Sequence, residues 1–299
     1  MMVERRKRLR ARSRDEIMPL IDLCKRGHLF EVQDWIAAGK PVNLPYNDSK
    51  CRRLLSPLEI AIDKGFHSLA AVLLEGGAIQ EPMGWEMPGY RAIRLRRMDL
   101  IELLVAHGLD VSEVDMHNVF DTWEPAMMEY FIEKGADPEA DCAMGAALIH
   151  RIRTALRMYK KYKDRFPGFQ EQANIALRHH SAEGNLKWVS LMLWLGADPY
   201  ASGRRNCEKT RDDKWFKYSA VGFAAYYGNL EAFDLLTKKR YDPYHPDLII
   251  GLSHPSTEKG LAMAAKILEK GVNLTKRARK MSSILQSKLT YLECTDGRW

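Results

Sequence analysis

Glycines, or a glycine and a substitute for one, recur seven times at a separation of twelve residues, and the same apolar run lies between them each time. The pairs are Gly27/Gly39, Gly65/Gly77, Arg96/Gly108, Trp123/Gly135, Gly184/Gly196, Gly228/Arg240 and Lys259/Gly271. Such self-similarity belongs to a repeat architecture rather than to a single globular core.

Counting from the first member, position five holds Val32, Ala70, Ile101, Met128, Val189, Phe233 and Ala264. Position eight holds Trp35, Leu73, Leu104, Phe131, Met192, Leu236 and Ile267, and positions two and nine are mostly apolar as well. Offsets of two, five, eight and nine share one face of a 3.6-residue helix, so each unit carries a short amphipathic helix whose stripe needs a neighbour. The closing glycine suits the left-handed residue that ends a helix. Pro19-Leu20 and Pro57-Leu58 stand eight and seven residues before Gly27 and Gly65. Proline fits a first helical turn, so each is expected to start an upstream helix. The unit is then helix, tight turn, helix and glycine-ended loop.

Met18-Pro19-Leu20-Ile21 with Gly27-His28, and Ser56-Pro57-Leu58-Glu59, supply the start of a pattern. Gly77-Ala78, Gly135-Ala136-Asp137-Pro138, Gly196-Ala197-Asp198-Pro199 and Gly271-Val272-Asn273 supply its end, and Gly184-Asn185-Leu186 through Asp198 is the best single copy. Together they resemble the ankyrin repeat, whose pattern runs Thr-Pro-Leu-His, Gly-His, a Leu-rich helix and Gly-Ala-Asp. No copy carries the full Thr-Pro-Leu-His, and Arg96, Trp123, Arg240 and Lys259 replace glycines.

The resemblance implies an all-α solenoid of about seven helix-turn-helix units with hairpin-like loops over residues 15–275. A basic arm, 1–14, would precede it, and a capping helix and tail, 276–299, would follow. It further implies a non-catalytic binding protein, an adaptor, scaffold or stoichiometric inhibitor, whose partner is another protein or complex. One elongated domain is expected, because a stack of repeats has no size limit set by a single core.

The closing residues are separated by 38, 31, 27, 61, 44 and 31 residues, against a family norm of about 33. The excess marks insertions at about 142–173 and 199–217. The first is expected to hold one helix from about Gly145 to Phe166, with Arg153 and Lys160 on a basic face. That face either contacts an acidic partner or is simply solvated. The second holds Arg204, Arg205, Lys209, Arg211 and Trp215, arginine beside tryptophan as in an interface anchor; a solvated loop with Trp215 tucked beneath a repeat is the alternative. Trp85 and Met87, in a loop stiffened by Pro82 and Pro88, form a third candidate contact.

The first fourteen residues carry +6 of the formal +7, through Arg5, Arg6, Lys7, Arg8, Arg10, Arg12 and Arg14 against Glu4. This arm could grip nucleic-acid phosphates, rest on an acidic protein or cap the first repeat. A nucleic-acid-associated protein is therefore the second functional reading, and an effector or a phage or bacterial defence component a third.

No nucleotide-binding glycine loop, metalloprotease or hydrolase motif occurs, so no catalytic residue, cofactor or small-molecule substrate is expected. Adjacent His179 and His180 point about 100° apart on a helix, so no metal site is expected either. Five cysteines without a Cys-x-x-Cys pair, no secretory signal and no long apolar run favour a reduced, cytoplasmic protein. Delivery into a host cell or nucleus stays open.

Overall fold

The structure, a computed structural model, describes residues 10–45, 54–80, 87–202, 218–253 and 257–272. Among them it is all-helical, and the single β-bridge pairs Arg10 with Asn43. The hairpin-like loops expected between repeats therefore contain no strand among the described residues. The chain divides into two compact units, Met1–Asp137 and Pro138–Trp299.

The first unit contains four helix pairs: α1 (Arg14–Arg26) with α2 (Leu29–Ala37), α3 (Pro57–Asp63) with α4 (His67–Glu75), α5 (Pro88–Arg94) with α6 (Met98–Ala106), and α7 (Met116–Asp121) with α8 (Pro125–Glu133). First helices pack in the order α1, α3, α5, α7, and second helices in the order α2, α4, α6.

The second unit repeats the scheme with α9 (Ala143–His150) and α10 (Ile152–Tyr162), α11 (Phe169–Glu183) and α12 (Leu186–Trp194), α13 (Ala220–Tyr227) and α14 (Leu230–Thr237), and α15 (Leu248–Ser253) and α16 (Glu258–Lys270). Here α9, α11, α13 and α15 form the first row, and α12, α14 and α16 the second.

In six of the described pairs the inner turn is left-handed, at Gly27, Gly65, Arg96, Trp123, Gly184 and Gly228, with φ 70° at Gly184. Arg96 and Trp123, which replace that glycine in their copies, adopt φ 56° and 64°. Their side chains tolerate a conformation costing roughly 1–2 kcal/mol because the packed helices on either side dictate the turn. The buried stripe follows the same register. All seven residues at position five are fully buried, from Val32 to Ala264. Position two is the edge of the stripe, half-buried at Leu29 and exposed at His67. Starts are capped: Ser56 and Glu59 exchange reciprocal hydrogen bonds ahead of α3, and Ser219 accepts the Gly222 amide ahead of α13.

Several expectations are corrected. The segment from 145 to 166 is two helices, because Arg151, at φ −128° and ψ 41°, breaks the chain between α9 and α10. The supposed insertion is thus a helix pair of its own, with no glycine to mark its turn. Pro19 lies inside α1 rather than at its start, since Asp15 and Glu16 supply an acidic first turn upstream. Lys259 is helical within α16, and Arg240 is not left-handed, so neither continues the glycine role.

Burial without any compensating charge pushes the Cys24 thiol up to about 12. Cys24 is free but Cys142 is disulfide-bonded, which departs from the expectation of a reduced chain. No helix among the described residues is long and apolar enough to cross a membrane. The expected capping helix, about 280–291, lies outside the described residues.

Candidate docking surface

Helices α12 and α14 lie side by side, and the loops that follow them enclose a groove of about 420 Å³. Leu193, Leu235 and Leu236 line its apolar side. Leu193, at position nine, and Leu235 are half-buried at the stripe's edge, while Leu236, at position eight, is buried in the core. Trp194, the last residue of α12, forms one wall and is 63% exposed. Leaving an indole that open forgoes on the order of 1 kcal/mol of burial, which marks it as available for another surface.

The rim is basic. Lys238, Lys239 and Arg240 follow α14 and all three are exposed. Lys238 and Lys239 have no carboxylate partner within the described residues. The Arg240 guanidinium lies 5.8 Å from the Tyr200 ring centre. The Lys160 ammonium of α10 stands 4.2 Å from the centre of the Trp194 ring, a cation–π pair that adds a positive charge beside the indole. The nearby acids are already engaged. Asp234 is bridged by Lys266 at 3.4 Å and Lys270 at 3.3 Å, and Asp198 accepts the Tyr200 amide at 3.0 Å in its own turn.

The loops framing the groove are fixed by side chains. Asn174 accepts the Asp198 amide at 2.8 Å, and Gln170 donates to the Gly196 carbonyl at 2.9 Å. Arg178, 5% exposed, donates to the Ala201 carbonyl at 3.1 Å and pairs with Glu171 at 2.8 Å. A buried guanidinium held from both sides gives residues 198–202 a rigid seat.

Of the residues singled out from sequence, Lys160 belongs to this surface and Arg153 stands exposed on the same helix, α10. Met87 is half-buried at the N-terminal cap of α5, in the first unit. Trp85, Arg204, Arg205, Lys209, Arg211 and Trp215 lie outside the described residues, as do Arg5, Arg6, Lys7 and Arg8 of the arm. The described end of the arm is part of the fold: Ala11 is buried and donates to the Asn43 carbonyl at 2.9 Å, beside the Arg10 bridge, and Arg14 already begins α1. Arg12 is exposed, its amide donating to the Glu16 carboxylate at 2.6 Å.

Trp194, Lys238 and Lys239 were not anticipated. A signal for the first existed, since Trp194 stands at position ten of its unit, off the buried stripe, where a large apolar residue has no core to fill. Compared with protein-family models and with curated proteins, the chain matches none.

Proposed function

We propose that this chain is a non-catalytic protein-binding module of the ankyrin-repeat type, and that the α12–α14 groove receives an acidic segment of a partner protein carrying one aromatic or aliphatic anchor. The observation that carries the reading is the coincidence of an exposed Trp194 over an apolar groove with Lys238 and Lys239 on its rim, neither of which has a carboxylate partner among the described residues. Charge complementarity selects the partner's sign, and the groove selects a single apolar side chain. The paired helices, left-handed inner turns and uniformly buried position five support the repeat assignment. Docking without turnover suits an adaptor, scaffold or stoichiometric inhibitor.

The test uses a short labelled peptide rich in Asp and Glu around one Trp, the same peptide with Lys for its acids, and a short DNA duplex. Saturable binding of the acidic peptide that weakens with salt, and is lost in a Trp194→Ala plus Lys239→Glu variant of unchanged helicity, supports the proposal. Equal binding of the Lys-substituted peptide overturns it. So does tight duplex binding abolished by removing residues 1–14 while the acidic peptide fails to bind.

A further inference from the structure

The last turn of α11 brings together side chains whose chemistry the docking groove does not use. His179 and Glu183 are one turn apart, with Nε2 and Oε1 at 3.2 Å, and both are partly exposed. His180 faces the other way, into the protein, and is 2% exposed. The 100° between neighbouring positions is real, yet one ligand atom from each of His179, His180 and Glu183 lies within 4.8 Å of the others. Glu183 closes the gap, one turn after the first histidine and three residues after the second.

The tautomer of His180 follows from its partner. Its Nε2 lies 3.2 Å from the Leu148 carbonyl oxygen, and since a carbonyl only accepts, that nitrogen carries the proton. Nδ1 is then left with a lone pair, buried and without a hydrogen-bond partner. A buried acceptor without a partner is unfavourable unless something occupies it. An imidazole oriented through one nitrogen by a backbone carbonyl, with the other nitrogen bare, is the arrangement that holds histidine ligands on metals. His150, exposed at the end of α9, has its ring centre 6.2 Å from that of His179. Both helices end here, and their carbonyl-bearing termini favour a cation.

We propose that His179, His180 and Glu183 form a binding site for a first-row transition-metal dication of the zinc class, with His150 able to supply a fourth ligand. Two imidazoles and one carboxylate suit zinc, copper or nickel, whereas calcium and magnesium require oxygen ligands. Metal–ligand distances of about 2.0–2.2 Å require the atoms to draw closer than they stand, and the exposed His179 and Glu183 side chains have the freedom to close on the buried His180. With His150 engaged, the ion would tie α9 to α11. The site is separate from the groove and does not depend on how the groove is used.

The test is calorimetric titration of the tag-free full chain with Zn²⁺, with Mg²⁺ and Ca²⁺ as controls, together with thermal melting in Zn²⁺. One Zn²⁺ per chain and a raised Tm are expected. His179→Gln and Glu183→Gln, both at partly exposed positions, should each weaken Zn²⁺ binding by about tenfold or more with helical circular dichroism unchanged. His28→Gln and His117→Gln should leave it intact. Absence of saturable binding overturns the assignment, as does Zn²⁺ affinity that survives both His179→Gln and Glu183→Gln or falls equally in the His28 and His117 variants.

Discussion

The Tyr200 hydroxyl accepts the Asp242 amide at 3.0 Å, and it donates to the Arg240 carbonyl, also at 3.0 Å. One phenol thus fixes the loop after α14 to the loop after α12 and sets the height of the basic rim. Tyr200→Phe keeps the ring and removes both bonds. We expect a loss of about 1 kcal/mol in denaturant unfolding, because two part-buried hydrogen bonds are removed and water replaces them only in part. The acidic peptide should also bind more weakly, which titration of the labelled peptide would measure; unchanged stability would show that water replaces the phenol without cost.

Two residues of α12 should separate binding from stability. Met192 is fully buried and Trp194 is 63% exposed. Met192→Ala should destabilise by about 2–5 kcal/mol. Trp194→Ala should change unfolding by roughly 0.5 kcal/mol or less yet weaken peptide binding by about 2 kcal/mol, as truncation of an interface anchor does. A Trp194→Ala protein that unfolds readily would return this side chain to the core.

Arg96 holds a left-handed backbone that glycine occupies without strain. Its ion pair to Glu124, at 3.6 Å, joins two half-exposed side chains and is screened by solvent. Arg96→Gly should therefore raise stability by about 0.5–1 kcal/mol, seen as a higher Tm. The opposite substitution, Gly184→Ala, should lower it, since φ is 70° and the new methyl would meet the Asn229 amide at 3.1 Å.

Cys24 makes a prediction about alkaline pH. In the unfolded chain its thiol ionises near pH 8.5, while in the fold burial delays ionisation to about 12. Above pH 8.5 the folded state holds the additional proton, so stability from this group is complete below that pH and declines as pH rises, by up to about 1.4 kcal/mol per pH unit. Urea unfolding at pH 8 and pH 10 should show a steeper decline for the wild type than for Cys24→Ala. The same thiol should resist alkylation until the chain unfolds.

How much of this was legible in the sequence depended on whether a turn used glycine. Gly184 and Gly228 announced their turns, and counting from them placed Val189 and Phe233 in the core. Arg96 and Trp123 kept the count despite their side chains, because helix packing imposes the left-handed turn on whatever residue stands there. The α9–α10 pair went unseen, since its break at Arg151 carries no glycine and the apolar spacing from Leu148 to Ile152 and Leu156 runs on across it as if one helix continued. Lys259 fitted the count but not the fold, as the turn before α16 is placed by Thr257, whose hydroxyl accepts the Gly260 amide.

The groove was hardest to anticipate. Trp194 is dozens of residues away from Leu235 and Arg240 in sequence and meets them only because α12 and α14 are stacked. Composition drew attention instead to arginine-rich segments, of which Lys160 alone reaches the described surface. For the histidine cluster, the missing element was Leu148: without knowing that its carbonyl faces His180, nothing in the residue order says which imidazole nitrogen is bare.

Arg178 has a consequence beyond its own ion pair. By gripping the Ala201 carbonyl it pins the backbone that follows α12 at a defined point. The clasp holds a backbone carbonyl and not a side chain, so position 201 keeps its place whatever side chain it carries, and a substitution there leaves the helices behind it packed as before.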